Sequence, residues 1–362
     1  MMSRRLCRFV GIVVVAVAVG WVAGEAVAAP YSALVMEVES DRVLYERNAD
    51  EIRHPASLTK MMTLYLVFEA LVQGRISLYD TFYASSYAAS RSPSRIGLRP
   101  GDPLTVEEGI LALVTCSAND AAATLGEGLA GSEPAFAAMM TRKARELGMS
   151  QTVFRNASGL PDPEQVTTAR DMYRLGKALL KHFPQYYPYF STSRFQYRGR
   201  SFHNHNHLLE NYYGADGIKT GFVNASGFNL VASARRNGVR LVGVVFGGNS
   251  SFRRDAHMRD ILDDGFAQIE GRESSVRFAG FDQGYVSHLL IRPGESRVSA
   301  VPKKARRAAA GKTNGHRARV VAARPSPGTQ KGMSTHAKRK PVEAKSLPAR
   351  LRSSRTSVKF RR

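Results

Sequence analysis

Three short segments of this chain carry serine, lysine and asparagine side chains at spacings that could support nucleophilic catalysis. The first, "HPASLTKMM", places Lys60 three residues after Ser57, so that both side chains would share one face of a helix. The second, "CSANDAA", contains Ser117 and Asn119, and the third, "DGIKTGF", contains a lysine, a threonine and a glycine at 219–221. Each segment is a weak signal alone, but the three in this order form a strong combination.

Ser57 and Lys60 are the candidate nucleophile and its general base. A serine hydroxyl is a poor nucleophile until a base removes its proton, and a lysine can be that base when burial or a nearby cation lowers its pKa. Lys219 could supply the nearby positive charge. The alternative is structural: Ser57 would cap the helix, and Lys60 would extend its ammonium to water. The second and third segments favour the catalytic interpretation.

The other two segments offer the remaining parts of an acyl-transfer site. Ser117 could relay a proton to a leaving amine, and Asn119 could bind a peptide amide of the substrate. Lys219 and Thr220 provide a cation and a hydroxyl, which suit a free carboxylate.

Backbone groups close to the nucleophile could stabilise the developing negative charge. Gly221 lacks a side chain, which lets the backbone approach a ligand closely. The N–H groups of Ser57 and Phe222 could then form an oxyanion hole. This chemistry needs no metal and no cofactor, and we expect neither.

The hydrophobic pattern predicts the elements that must position these groups. Apolar residues after Pro55 predict a buried helix that ends near Gly74. Residues 33–48 are typical of a hairpin around a polar turn. The other predicted elements are helices in most of 105–147 and over 168–182, strands at 228–235 and 239–246, and a helix at 252–270. Ser117 and Asn119 then fall in a turn between helices, and residues 219–221 come just before a strand.

This order of elements predicts an α+β fold. Strands at both ends of the sequence, around a block of helices, favour one antiparallel sheet flanked by helices, with a helical subdomain. Residues 275–292 could add one or two short strands. From about residue 297 onward, Ala, Pro, Lys and Arg dominate, so we expect a disordered basic tail.

The motifs and their surroundings resemble the penicillin-recognising serine D-Ala-D-Ala peptidases, which carry Ser-x-x-Lys, Ser-Asp-Asn (here Ser-Ala-Asn) and Lys-Thr-Gly motifs. Residues 30–272 are most similar to the low-molecular-mass D-alanyl-D-alanine carboxypeptidases, the S11 type of serine peptidase. The resemblance extends through "LRPGDPLTVEEGILALVTCSANDAAATLGE" and "GADGIKTGFVNASGFNLVASA".

The resemblance implies a transpeptidase/β-lactamase-like fold and a serine acyl-enzyme mechanism on peptidoglycan stem peptides. Ser57 would attack the carbonyl of the penultimate D-Ala, the terminal D-Ala would leave, and water would release the shortened stem. β-Lactams would acylate the same serine. The chain departs from the family at Phe222, where many members carry His, and it lacks a recognisable β-rich domain or amphipathic anchor after the catalytic part.

Two enzyme classes with similar motifs are alternatives. A class A β-lactamase needs a Glu-x-x-x-Asn pattern in the loop before the third motif, and "RNASGLPDPEQVTT" contains Glu164 without the asparagine. A DD-endopeptidase that cuts crosslinks would use the same residues as a carboxypeptidase, so it stays open.

The first 28 residues have the features of a secretory signal peptide. Arg4, Arg5 and Arg8 precede an apolar run, and "AVAAP" offers a cleavage site after Ala28. We therefore expect an exported, periplasmic protein with a catalytic domain at 29–275, a short extension at 276–296 and the tail at 297–362. Cys116 would be the single cysteine left, so no internal disulfide is expected.

The formal net charge of +22 belongs mainly to the tail. Residues 297–362 contain 20 Lys and Arg but one acid, and the rest of the chain carries only +3. No zinc, helix-turn-helix or stacking signature accompanies the tail, so we expect no nucleic-acid partner. A different class of function is therefore a polyanion-binding protein, whose tail would bind anionic envelope polymers or the membrane surface.

Two smaller features have structural explanations as well as functional ones. His203, His205 and His207 alternate, so on a strand they would share one face, as zinc ligands could. No cysteine is close to them in sequence, the mechanism needs no metal, and we predict no metal site. Cys116 is expected to be a small buried thiol that packs under the second motif.

Overall fold

Nine strands and eight α-helices form the described part of the chain, residues 30–271 of a computed structural model. The strands are β1 Ser32–Glu37, β2 Val43–Arg47, β3 Thr81–Tyr83, β4 Pro103–Thr105, β5 Arg194–Tyr197, β6 Arg200–His203, β7 Ala215–Val223, β8 Gly227–Arg236 and β9 Val239–Gly248. The helices are α1 Lys60–Val72, α2 Ser86–Ala89, α3 Val106–Val114, α4 Asn119–Ala130, α5 Glu133–Glu146, α6 Ala169–His182, α7 Leu208–Asn211 and α8 Ser251–Ile269. Two 3₁₀ turns lie at Ala56–Thr59 and Tyr187–Ser191.

A five-stranded antiparallel sheet connects the two ends of this region. Its strand order is β2-β1-β9-β8-β7, and every neighbouring pair is antiparallel. The N-terminal hairpin therefore pairs with the last strand, which confirms the predicted α+β fold with chain-distant strands in one sheet.

Both faces of the sheet are covered by helices. Side chains alternate between the faces because the side-chain period of a strand is two residues. In β1, Leu34 contributes to the core shared with α1 and α6, while Val35 packs in the core under α8. β9 shows the same division, with Val244 on the α1 and α6 side and Val245 on the α8 side.

The helix α1 crosses the centre of the larger core. Apart from Glu69 and Val72, all of its residues are buried. A helix that is apolar on all sides belongs in a protein interior, so α1 is a rigid support for whatever precedes it. The sequence analysis began this helix directly after Pro55; instead, a 3₁₀ turn carries Ser57, and α1 starts at Lys60.

The structure differs from the sequence predictions at one strand and at two small sheets. The Lys219–Gly221 segment lies inside β7, whereas it was expected just before a strand. The two-stranded sheets β3-β4 and β5-β6 were not predicted. The predicted final helix is confirmed as α8.

Several sequence predictions fall outside the described residues. These are the signal peptide at 1–28, the short strands at 275–292, the extension at 276–296 and the tail at 297–362. Residues 30–271 fall within one unit of the chain, and the boundaries 29–275 stay a prediction. Within 30–271, no helix has both the length and the apolar character needed to cross a bilayer.

Candidate active site

Lys60 connects the first two motifs of the sequence. Its Nζ lies 3.2 Å from Ser57 Oγ, 2.7 Å from Asn119 Oδ1 and 2.5 Å from the carbonyl oxygen of Ser158. The amide and carbonyl oxygens can only accept hydrogen bonds. A neutral amine has two N–H groups to give them, and its lone pair then faces the Ser57 hydroxyl. This geometry suits Lys60 as the acceptor of the Ser57 proton.

The electrostatic surroundings favour a neutral Lys60. Its side chain is fully buried, and this burial lowers the pKa of Lys60 well below the ordinary 10.5. The Lys219 cation lowers the pKa further, while Asp120 and Glu133 oppose the shift. Burial also lowers the pKa of Lys219, to about 7. Both amines therefore lose their protons more readily than an ordinary lysine does.

Two glycines hold the turn that carries Ser57. Gly159 has φ +85°, and a Cβ built on it would lie 1.8 Å from the carbonyl oxygen of Ala56. A Cβ on Gly221 would lie 3.1 Å from the backbone nitrogen of Ser57. The turn is thus clamped between the loop containing Gly159 and the strand β7, which fixes Ser57 relative to the third motif.

Ser117 lies between α3 and α4, as predicted. Its backbone conformation and its lack of hydrogen bonds are both unusual. Its φ is +59°, a left-handed conformation that costs a non-glycine residue about 1–2 kcal/mol. Its Oγ is buried and has no hydrogen-bond partner among residues 30–271. Strained residues with unsatisfied polar atoms tend to mark functional sites, and a free hydroxyl is what a proton relay requires.

Asn119, the first residue of α4, is held from two sides. Its backbone N–H donates to the carbonyl of Ser94 at 2.7 Å, and its Nδ2 donates to the carbonyl of Ser92 at 3.1 Å. Its Oδ1 accepts from Lys60. The side chain therefore positions Lys60, a role that sequence reasoning did not assign; its contact with substrate stays a prediction.

Asp120 is a functional residue that sequence reasoning missed. Its fully buried carboxylate accepts hydrogen bonds from three consecutive N–H groups, those of Ile96, Gly97 and Leu98, at 3.1, 2.8 and 3.0 Å. It also sits in the first turn of α4, where the helix dipole favours an anion. Asp120 thereby fixes the 92–98 segment that holds Asn119. In the sequence, its position directly after Asn119 was the one feature that could have connected Asp120 with the site.

The Ser158 carbonyl is the second contact that the sequence did not reveal. Glu133 anchors this loop, because its Oε1 accepts the N–H of Ala157 at 3.0 Å. The hydroxyl of Thr63 donates to the carbonyl of Ala157 at 2.6 Å. A backbone carbonyl carries no side-chain signature, so no motif announces it.

The third motif forms the other wall of the site. Lys219 is 2% exposed and its Nζ donates to the carbonyl of Thr220 at 3.0 Å. Arg254, also buried, pairs with Asp255 at 2.7 Å and donates to the carbonyl of Asn229 at 3.2 Å, and its charge lowers the pKa of Lys219. The charge of Arg254 is therefore balanced by Asp255, and Lys219 is left to meet the carboxylate that was expected here. Sequence reasoning did not identify Arg254.

Phe222, the departure from the family pattern, points toward solvent. Its side chain is 53% exposed, and its ring centroid lies 4.4 Å from that of Phe228 on β8. This contact leaves the main chain of Phe222 on β7 beside Gly221. The role of its N–H as an oxyanion donor stays a prediction.

The three histidines do not share the strand that sequence reasoning considered. His203 ends β6, and the backbone N–H of His205 donates to the carbonyl of Thr115. His207 lies 3.3 Å from Asp255. Across residues 30–271, no three His, Cys, Asp or Glu side chains come together as metal ligands. Cys116 is buried, and its burial raises the pKa of its thiol to about 11.

Comparison with known proteins agrees with this geometry. Residues 22–250 match the sequence profile of the peptidase S11 family, described as D-alanyl-D-alanine carboxypeptidase. The chain is 36% identical over 243 residues to the D-alanyl-D-alanine carboxypeptidase DacF of Bacillus subtilis (strain 168). This alignment covers 66% of the chain and 62% of the relative. The match thus spans less than two thirds of the relative's length.

Two solved structures share the fold. Penicillin-binding protein 5 from Haemophilus influenzae is 33% identical with a TM-score of 0.64, covering 66% of this chain and 71% of that one. Penicillin-binding protein D2 from Listeria monocytogenes, in its ampicillin-bound form, is 32% identical with a TM-score of 0.58, covering 66% and 97%. The chain belongs to the peptidase S11 family of D-alanyl-D-alanine carboxypeptidases.

Proposed function

We propose that the protein is a serine-type DD-carboxypeptidase, which removes the terminal D-Ala from peptidoglycan stem pentapeptides. The observation that carries this proposal is the set of contacts around Lys60, whose Nζ meets two acceptor-only oxygens and the hydroxyl of Ser57. Membership of the S11 family supports the same substrate class.

The acylation step uses Ser57 as nucleophile and Lys60 as general base. Lys60 takes the Ser57 proton while Oγ attacks the carbonyl carbon of the penultimate D-Ala. The N–H groups of Ser57 and Phe222 stabilise the resulting oxyanion. Ser117 then relays a proton to the amine of the departing D-Ala, and an ester between Ser57 and the shortened stem remains.

Substrate recognition and deacylation use the remaining groups. Lys219 and Thr220 bind the terminal carboxylate, and Gly221 lets the substrate approach the nucleophile closely. Asn119 contacts an amide of the stem. After D-Ala has left, a water molecule gives a proton to Lys60 and attacks the ester carbonyl. The bond between this carbon and Ser57 Oγ breaks, and Oγ takes the proton back from Lys60.

β-Lactams are proposed to acylate Ser57 by the same route. Their ring carbonyl takes the place of the scissile amide, and their carboxylate takes the place of the terminal one. The ampicillin-bound form of the Listeria relative supports this proposal.

The decisive experiment is mass spectrometry of muropeptides after incubation with the protein, with Ser57→Ala as the control. Loss of one alanine from pentapeptides, absent in the variant, is the expected result. Cleavage of crosslinked dimers with intact pentapeptide would instead identify a DD-endopeptidase. If the wild type changes neither substrate, the proposed function is wrong.

We further propose that the protein is exported to the periplasm, where its tail attaches it to the envelope. The signal-like segment and the +19 charge of residues 297–362 support this proposal. Sedimentation with isolated envelopes at low and high salt tests the tail. Equal sedimentation of full-length and tail-deleted protein at low salt would contradict the attachment.

A further inference from the structure

The side chain of Phe222 is an exposed aromatic group at the edge of the site, and the proposed reaction uses only the N–H of this residue. Its ring centroid lies 4.4 Å from that of Phe228, with 41° between the ring planes. The two residues are register partners on β7 and β8, where aromatic pairs stabilise a sheet. Phe228 is in turn opposite Gly248 on β9, which has no side chain to cover the rings. We call Phe222 and Phe228 the aromatic shelf.

The strand β7 positions this shelf beside the last residue of a bound stem peptide. The strand lies at the edge of the five-stranded sheet, where an extended peptide can align beside it. In the proposed reaction the terminal carboxylate binds Thr220, and the oxygen of the scissile carbonyl meets the N–H of Phe222. The terminal D-residue lies between these two points, which are roughly 7 Å apart along the strand.

The two faces of β7 differ in the room that they offer to the side chain of that D-residue. Gly221 faces the turn that carries Ser57, where a Cβ would lie 3.1 Å from the nitrogen of Ser57 and 3.3 Å from the Cβ of Ala56. Because side chains alternate along a strand, Thr220 and Phe222 share the opposite face. Thr220 is 7% exposed, whereas Phe222 is 53% exposed, so this face opens toward the shelf. A side chain larger than a methyl group therefore has room on the shelf.

The chemistry of the shelf is apolar, and this is the point at which the chain departs from the family pattern. Many members carry histidine at the position of Phe222, and an imidazole forms hydrogen bonds, which a phenyl ring lacks. An aliphatic side chain that covers the exposed ring removes apolar surface from water, which is favourable in proportion to the area buried. A polar side chain of the same shape would lose hydrogen bonds to water there without gaining new ones.

We propose that the aromatic shelf is a specificity subsite for the side chain of the terminal D-residue, and that it selects aliphatic side chains. The protein should therefore act on stem peptides that end in a larger aliphatic residue such as D-Leu, as well as in D-Ala. The amide bond that breaks and the ester that forms on Ser57 stay the same, and only the departing amino acid changes. The inference rests on the proposed function, because that function fixes where the terminal carboxylate and the scissile carbonyl lie on β7.

Two tripeptides that share one shape and differ in polarity test the subsite. Nα,Nε-diacetyl-L-Lys-D-Ala-D-Leu and its D-Asn analogue have nearly isosteric terminal side chains, and both yield the same acetylated dipeptide. The full-length protein should show a kcat/KM about fivefold higher for the D-Leu peptide, a difference equivalent to about 1 kcal/mol. Phe222→His keeps the backbone N–H and should lower this ratio to about one, because the apolar surface of the shelf is lost. Phe222→Leu, which restores an apolar side chain, should keep the preference for D-Leu.

Tyr79→His is the matched control variant, because it also replaces an exposed aromatic residue by histidine. Tyr79 is 83% exposed and follows the far end of α1, a helix of 13 residues that leads about 18 Å away from the turn that carries Ser57. The preference for D-Leu should persist in this variant. Equal kcat/KM values for the two peptides in the wild type, or an unchanged ratio in Phe222→His, would overturn the subsite.

A third peptide, which ends in D-Ala, separates this inference from the proposed function. Cleavage of the D-Ala peptide without cleavage of the D-Leu peptide would overturn the subsite alone. If none of the three peptides is cleaved, the carboxypeptidase proposal fails, and protection of Ser57 against a fluorescent penicillin decides the subsite. The D-Leu peptide should then protect Ser57 at a lower concentration than the D-Asn peptide, and Phe222→His should remove the difference. Equal protection by both peptides in the wild type would refute the subsite.

Discussion

The buried amine of Lys219 should make the stability of the protein depend strongly on pH, and Lys219→Met tests this effect. The pKa of Lys219 is about 7 in the folded protein, against 10.5 for an ordinary lysine. At about 1.4 kcal/mol per pH unit, this difference corresponds to about 5 kcal/mol of cost for burying the charged form. Methionine keeps a long unbranched side chain without a charge.

The direction of this pH dependence follows from the number of protons that the folded and the unfolded state bind. Between pH 7 and 10.5 the unfolded chain still holds the Lys219 proton that the folded protein has released. The unfolded state therefore binds more protons, and the free energy of unfolding of the wild type rises with pH. Below pH 7 Lys219 is protonated in both the folded and the unfolded state, and the folded protein bears the full free-energy cost of burying the charged amine. Lys219→Met removes the contribution of Lys219 to this dependence, leaves that of Lys60, and should be the more stable protein at low pH.

Urea unfolding followed by circular dichroism at pH 7, 8, 9 and 10 measures the effect. The stability advantage of Lys219→Met over the wild type should shrink by roughly 3–4 kcal/mol across this range. Lys177→Met, at a lysine on α6 that pairs with Asp41 on the protein surface, controls for the loss of one lysine. Parallel pH curves for the wild type and Lys219→Met would refute the reasoning.

Two further substitutions test how the site is held. Gly159→Ala should slow acylation by a fluorescent penicillin tenfold or more, because its Cβ would overlap the Ser57-bearing turn; Gly74→Ala, at φ +65° with open space around it, should leave the rate unchanged. Asp120→Asn should lower the free energy of unfolding by about 3 kcal/mol. It should also move the acidic limb of the acylation pH profile to lower pH, because Asp120 raises the pKa of Lys60. Asp171→Asn, at a buried carboxylate on α6, should reduce stability without moving that limb, and equal shifts in both variants would contradict this role.

The sequence predicted the central contact of the site because that contact is local. Ser57 and Lys60 are three residues apart in helical backbone, and this spacing brings their side chains together even though the first turn is 3₁₀. The strands β8 and β9 were also predictable, since both are rich in apolar and β-branched residues over eight or more positions. The position of Lys219 inside β7 was not, because a buried lysine interrupts the apolar pattern of the strand.

The missed parts of the site depend on contacts between residues distant in sequence. Asp120 binds N–H groups more than 20 residues away, and Lys60 binds a carbonyl 98 residues away. Backbone groups have no residue type to recognise, so no motif can reveal them. The two small sheets were missed for another reason: three- and four-residue strands such as β3 and β5 are too short to show an alternating pattern.

The pairing of β1 with β9 has a consequence for the order in which the protein gains its reactivity. Ser57 and Lys60 are synthesised early, yet the strand that faces them begins at Ala215 and is held in the sheet only through β8, β9 and β1. Contacts of such long sequence separation can form only after the later strands have been synthesised, and the entropy of loop closure makes them slow to form. A nascent chain therefore contains Ser57 and Lys60, the proposed nucleophile and base, before β7 can form the other wall of the site. If β-lactams acylate Ser57 as proposed, covalent capture of penicillin should consequently count only molecules in which β7 has joined the sheet, which makes it a direct reporter of folding.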